Sequence, residues 1–216
     1  DQDQAIHAYN QLFTSKPSRY VKNIGPMCPV YDNPEDMTRL KIFQDYLIKH
    51  LFIRAGKINF PFFIHTGGAI APSLDPNLFD PTPMHSFLRC EELHEAGTKV
   101  ILLHQGFPYQ GILAVFASEF PNVYVDLSFF SNFTSLTKET LRGLIEVAGP
   151  HKILHGSDGS FLAETLGFCA HNTKNALGEL LNEFRRQQEW SEGECLDVAH
   201  MILHKNAERE LRLSNY

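Results

Sequence analysis

No apolar run in this 216-residue chain approaches the roughly 20 residues that a bilayer-spanning helix requires, so a membrane-embedded role is excluded from the expectations. Basic residues form no stripe. Nineteen Lys and Arg are outnumbered by 25 Asp and Glu, for a formal net charge of -6, and both nucleic acid and anionic membrane surfaces are poor partners for such a chain. The four cysteines, Cys28, Cys90, Cys169 and Cys195, lie far apart and form no C-x-x-C pair. With no secretory signal in view, they read as free thiols in a reducing compartment, and a cytoplasmic location is expected. Internal repeats and low-complexity segments are absent too, and nothing marks a second domain. Residues 1–216 are read as one globular unit, 43% hydrophobic and 20% charged, with enough apolar material for a sizeable core. The first residue is Asp1 rather than methionine, which leaves room for processing or truncation.

What is present is a recurring pattern. Phe60-Pro61-Phe62-Phe63-Ile64-His65, Val100-Ile101-Leu102-Leu103-His104, Val123-Tyr124-Val125-Asp126 and Lys152-Ile153-Leu154-His155-Gly156-Ser157-Asp158 are apolar, β-prone runs that end abruptly in polar residues. Buried parallel strands read as near-continuous apolar runs. Helical patterns separate them, over 83–96, 109–119 and 137–148. Ahead of them, Pro34 with Glu35 and Asp36 opens a helix expected to reach about Ala55, with Met37, Leu40, Phe43, Leu47 and Leu51 facing inward and Asn33 as its cap. Residues 1–19 read as an amphipathic or loosely ordered lead-in, and 20–24 as a short strand. Residues 67–82 form a loop longer than ordinary connections. The C-terminal stretch is helical, and Ser191 and Glu194 have capping-box spacing before a last helix through about Leu211. Alternating strand and helix implies an α/β fold with a parallel sheet. Residues that end successive strands share one mouth of a (β/α)8 barrel.

His65, His104, Asp126 and Asp158 are thereby candidates for one site. Imidazoles at strand ends can ligate a divalent metal, and a carboxylate beside them can take a proton from water. Asp126 has two readings: it orients a ligand, or it holds a loop through backbone hydrogen bonds. His155 reads as a residue of the core or one that supports the site. Ser157 lacks the G-x-S-x-G frame of a hydrolase nucleophile. His200 and His204 are four apart on a helix without the H-E-x-x-H frame, and read as surface residues. Asp75, Asp80 and His85 lie in or beside the long loop, within reach of a substrate.

The strand-end segments, in this order and spacing, resemble the later strands of the amidohydrolase-2 family, as does the ending Asn206-Ala207-Glu208-Arg209. The likeness covers about residues 35–216. It is nearest to the branch in which an amidohydrolase domain is fused to a glutamine-synthetase-like protein. The resemblance implies a distorted (β/α)8 TIM barrel of the amidohydrolase superfamily, with this chain supplying about its last five βα units. It implies His65 as a metal ligand, His104 as a ligand of a second metal or of the substrate, and Asp158 as ligand and general base. Lys22, Asp126 and His155 then become substrate-binding candidates, with Lys22 standing for a fourth-strand lysine. The implied cofactor is a divalent metal, zinc foremost. The implied activity is hydrolysis of C–N or C–O bonds in a small carboxylated molecule, with non-oxidative decarboxylation or a non-catalytic module as alternatives. The partner is a small-molecule substrate, and a homo-oligomer is compatible with the reading. The family's first-strand His-x-His pair occurs nowhere in the chain, and the expectation is that these residues are part of a longer protein.

Overall fold

The computed structural model describes residues 1–13, 20–21, 30–31, 34–68, 80–159, 162–187 and 189–212. Helix α1 (Gln2–Phe13) precedes two short strands, β1 (Tyr20–Val21) and β2 (Val30–Tyr31), which pair antiparallel with each other. The strand expected at 20–24 is therefore not a member of the parallel sheet. Helix α2 (Pro34–Lys57) follows, then β3 (Phe62–His65), α3 (Met84–Leu88), α4 (Glu91–Ala96), β4 (Val100–Leu103), α5 (Gln110–Glu119), β5 (Val123–Asp126), α6 (Thr134–Val147), β6 (Ile153–Leu154), α7 (Ala163–Arg186), α8 (Glu192–His200) and α9 (Asn206–Leu211). Strands β3, β4, β5 and β6 form one sheet in that order, every pair parallel. Consecutive parallel strands joined by helices are the repeating unit of a (β/α)8 barrel, and four of its strands are seen among the described residues.

Register divides the sheet into two faces. Val100, Leu102, Val123, Val125 and Ile153 join the main core with Leu113, Phe116, Leu144, Leu177 and Leu180 of the covering helices. Ile101, Tyr124 and Leu154 lie on the other face, where Ala207 and Leu211 of α9 pack on them. The pairings Phe63 with Ile101 and His65 with Leu103 put Phe63 and His65 on that second face as well. Burial on both sides explains the unbroken apolar runs of β4, β5 and β6, whereas β3 has Phe63 and His65 exposed on its second face.

Several helices depart from expectation. The pattern over 83–96 is broken into α3 and α4 because Cys90 is extended (φ -63°, ψ 122°) and starts a new helix. On α2, Leu40 is buried against Leu12 of α1, and Phe52 and Ala55 are buried near the sheet. Met37, Leu47 and Leu51, expected inward, are 37%, 41% and 53% exposed, because the stripe that α1 covers runs through Leu40 and Phe43 instead. The Ser191–Glu194 capping box forms as its spacing predicts. The helix it opens does not run uniformly to Leu211, since Met201–Lys205 is a π-helical turn between α8 and α9. The strand read over 152–158 is shorter, because only Ile153 and Leu154 pair.

At the N-terminal end of the sheet a buried lysine ties the strands together. Lys152 Nζ donates to the carbonyls of Phe120, Pro121 and Val123 at 3.0, 2.8 and 3.1 Å. Burial pushes its pKa below the ordinary lysine value. No helix among the described residues is long and apolar enough to cross a membrane.

Candidate functional site

The C-terminal ends of β3, β4 and β5 carry a connected group of polar side chains, and Asp158 stands beyond the end of β6. His65 is the last residue of β3, and His104 follows β4 directly. The β3–β4 register sets His65 beside Leu103, so the two imidazoles meet, with His65 Nδ1 2.7 Å from His104 Nε2. His65 is exposed, whereas His104 is only 2% exposed. Behind His104, its Nδ1 lies 2.9 Å from Ser128 Oγ. The Ser128 hydroxyl donates to Asp126 Oδ1 at 2.7 Å, so its lone pair is left to accept from His104 Nδ1–H. That tautomer leaves the Nε2 lone pair of His104 facing His65. Asp126 Oδ1 also accepts from the backbone N–H of His104 at 2.8 Å and of Ser128 at 3.2 Å.

The backbone around these groups is tightly held. Thr66 Oγ1 donates to Leu103 O at 2.6 Å, and Gly68 N to Phe107 O at 2.8 Å. Gly67 (φ 68°) presses against that loop so closely that a Cβ would lie 2.4 Å from Phe107 O. His104, Gln105, Phe129 and Asp158 all take positive φ, between 57° and 69°, and each follows a parallel strand. Left-handed conformations at non-glycine residues cost about 1–3 kcal/mol each and concentrate where side-chain placement matters. Gly156 packs against Asp126: a Cβ there would come within 2.4 Å of Asp126 Oδ2.

Electrostatics follows from this burial. Desolvation raises the Asp126 carboxyl to a pKa of about 6, against the opposing hydrogen bonds from Ser128 and His104, with a further push from the Asp158 charge. His104 is lowered by desolvation; Asp158 partly offsets this and His65 adds to it. It therefore favours the neutral form at pH 7, the form that can ligate a metal. His155 is lowered by burial, and its Nδ1 is buried without a hydrogen-bond partner.

Of the residues singled out in the sequence, His65, His104, Asp126 and Asp158 stand at one end of the sheet. Asp158 is exposed, in the turn after β6, and its charge acts on both His104 and Asp126. His155 lies between β6 and that turn. Asp126 Oδ1 is engaged by the chain's own donors, as a loop-holding residue would be. Lys22 and Asp75 lie outside the described residues. Asp80 caps the turn before α3 by accepting from Thr82 N and Oγ1 at 2.8 and 2.5 Å. His85 is directed to Glu119, 3.3 Å away, beside Phe116 and Phe120, on the helical layer. Ser157 Oγ accepts from Gly159 N in the turn at 3.1 Å. Ser128 was not a candidate in the sequence, although an Asp-x-Ser at a strand end is a signal for a side-chain-stabilised turn.

The donor set suits a divalent metal in kind, because neutral imidazole is a ligand for zinc and its neighbours. It does not suit one in number: among the described residues no group of three or more His, Cys, Asp or Glu side chains is spaced to hold an ion. Alongside, a cleft of about 700 Å³ opens at the β3 edge, walled by Phe52, Phe62, Phe63, Met84 and Phe87, with His65 on its margin.

Parallel strands joined by covering helices, with histidines and carboxylates gathered at the strand C-termini, define the class as part of a (β/α)8 barrel. The chain belongs to the Amidohydrolase family, whose model matches residues 21–213. It is 25% identical over 181 residues to the protein fluG of Emericella nidulans, covering 81% of this chain and 20% of that protein. Among solved structures, it is similar to a candidate metal-dependent hydrolase of Lactobacillus casei, with TM-score 0.72 and 24% identity over 83% of this chain and 48% of the other. Uronate isomerase of Thermotoga maritima superposes with TM-score 0.74 at 13% identity, over 97% and 46%. The chain thus spans about half the length of these structural relatives and a fifth of the curated one.

Proposed function

We propose that the strand-end cluster is part of a hydrolytic centre acting on C–N or C–O bonds of a small carboxylated molecule. The observation that carries this reading is the exposed His65 imidazole in contact with a buried His104 that is itself fixed by Ser128 and Asp126. A catalytic imidazole must be held within a fraction of an ångström, and this relay does so. A divalent ion, zinc by expectation, would lower the pKa of water at the strand ends toward neutrality. His65 and His104 would hold such an ion or, in the case of His104, polarise the scissile carbonyl. The remaining ligands lie beyond these two.

Asp158 is the proton acceptor in this reading. It is exposed at the mouth, its position is set by a left-handed turn, and its charge reaches His104. It takes the proton of the attacking water and returns it to the leaving group. His155, Asp126 and Lys22 serve substrate placement, with Asp126 acting through the backbone of His104.

Hydrolysis is tested by incubating the metal-supplemented protein with a panel of N-acyl amino acids, lactones and carboxylated esters, with product identification by mass spectrometry. Asp158→Asn preserves shape and should lower turnover on the order of 10²-fold or more, with little change in thermal stability. His155→Gln should cost far less. Full turnover in Asp158→Asn would remove that residue from the proton path. Release of carbon dioxide instead of a hydrolysis product would move the reaction to decarboxylation.

A further inference from the structure

A second histidine pair lies at the other end of the molecule. His200 ends α8, and His204 sits in the π-helical turn that follows. Both are exposed. His200 Nδ1 is 3.2 Å from His204 Nε2, and the rings stand edge to face at 81°. On the far side of the ring, His204 Nδ1 is 3.0 Å from Glu208 Oε1. The run His200, His204, Glu208 is therefore connected through its side chains, one helical step at a time.

Two features make this more than a surface stripe. First, metal–nitrogen bonds of 2.0–2.1 Å at a tetrahedral angle place two ligand nitrogens about 3.3 Å apart. The observed 3.2 Å separation is close to that, and an ion would replace the proton that bridges the two nitrogens, with His200 carrying its remaining proton on Nε2. Second, a carboxylate accepting from Nδ1–H fixes the tautomer with Nε2 as lone pair, which is the usual support of a ligating histidine. Glu208 has that position on His204. The π-helical turn adds to the argument, because such turns occur frequently at functional sites. The place is separate from the strand-end cluster. Asn206 Nδ2 donates to Pro150 O and Ile153 O, and Glu210 pairs with Lys99; these partners all precede or begin strands, at the opposite end of the sheet.

We propose that His200 and His204 form a surface site for a late first-row divalent ion, with Glu208 as the positioning residue. Glu208 lies on the far side of the His204 ring, and among the described residues no group of three or more His, Cys, Asp or Glu is spaced to hold an ion, so water completes the sphere and the site stays open and exchangeable. Imidazole ligands and the general order of divalent affinities favour Cu²⁺ over Ni²⁺ and Zn²⁺.

The test is a Cu²⁺ titration of the full chain freed of any affinity tag, followed by calorimetry and by electron paramagnetic resonance. The His65→Ala, His104→Ala double variant, in which the strand-end pair is silenced, should show an equivalent of Cu²⁺ with two-imidazole hyperfine structure. That equivalent should vanish when His200→Ala or His204→Ala is added to it. Glu208→Gln should weaken it about 10-fold. Circular dichroism checks the helix in every variant, and the two single histidine variants check each other. Unchanged stoichiometry and affinity in both would overturn the proposal. Unchanged affinity in Glu208→Gln would overturn the role given to that carboxylate.

Discussion

Replacing Ser128 with alanine removes one hydroxyl and breaks two hydrogen bonds in the least accessible part of the strand-end cluster. His104 Nδ1–H loses its acceptor at 2.9 Å, and Asp126 Oδ1 loses one of three donors at 2.7 Å. His104 and Asp126 are 2% and 7% exposed, so water cannot readily stand in. A buried donor left unpaired costs about 1–3 kcal/mol, and a bond to a charged acceptor is worth a comparable amount; together the loss is about 2–6 kcal/mol. For a chain of this size that corresponds to a fall in Tm of roughly 4–24 °C. The Ser128 bond also holds the Asp126 carboxyl down, so its removal should push that group further above about 6. Differential scanning calorimetry reads the stability, and ¹⁵N-resolved NMR of metal-free protein reads the tautomer: Nδ1–H in the parent, with Nε2–H gaining population in Ser128→Ala. Ser131→Ala is the control, because Ser131 is equally buried but its hydroxyl makes only a 3.4 Å contact with Gly156 O. A Tm within 1 °C of the parent and an unchanged tautomer in Ser128→Ala would refute the relay.

Gly156→Ala should destabilise the chain by about 1–3 kcal/mol and displace the Asp126 carboxylate, since the new methyl would sit 2.4 Å from Oδ2; chemical denaturation measures the cost. Lys152→Met should lose about 2–4 kcal/mol, because the Phe120, Pro121 and Val123 carbonyls would keep their burial without a charged donor; an unchanged denaturation midpoint would show that water replaces it. Glu210 gives a pH dependence. Burial works to raise its pKa, but bonds from Arg209, Lys99 and Tyr124 outweigh it and the net shift is downward from the ordinary value of 4.5. A depressed carboxyl stabilises the native state above the unfolded pKa, and that stability is lost as pH falls below 4.5 through the folded value. Glu210→Gln should flatten the acid limb of a stability–pH curve, and an acid limb identical to the parent's would exclude this residue.

The four parallel strands were legible as uninterrupted apolar runs, which burial on both faces explains for β4, β5 and β6, and the polar residues that end them are conspicuous against those runs. Their shared end of the sheet followed from the topology. The contact between His65 and His104 was not legible, because it depends on the β3–β4 register, which pairs His65 with Leu103 and which no local pattern encodes. Ser128 escaped for a related reason: its partner His104 is 24 residues away. The break at Cys90 carries no glycine or proline signal. The exposed stripe of α2 shows the limit of periodicity, which reports that a face is apolar but not what covers it. The weak β pattern begins in a real strand at Tyr20–Val21, but its partner was Val30–Tyr31 rather than the parallel sheet.

In the proposed function, His65 and His104 act together as metal-binding groups at one strand-end site. A Zn²⁺ titration by calorimetry in a His200→Ala, His204→Ala background, which silences the surface pair, measures this directly. Adding His65→Ala or His104→Ala should weaken Zn²⁺ binding at least 10-fold. If both variants bind Zn²⁺ with the affinity and stoichiometry of that background, the strand-end histidines are not metal ligands and the hydrolytic reading of the site is contradicted.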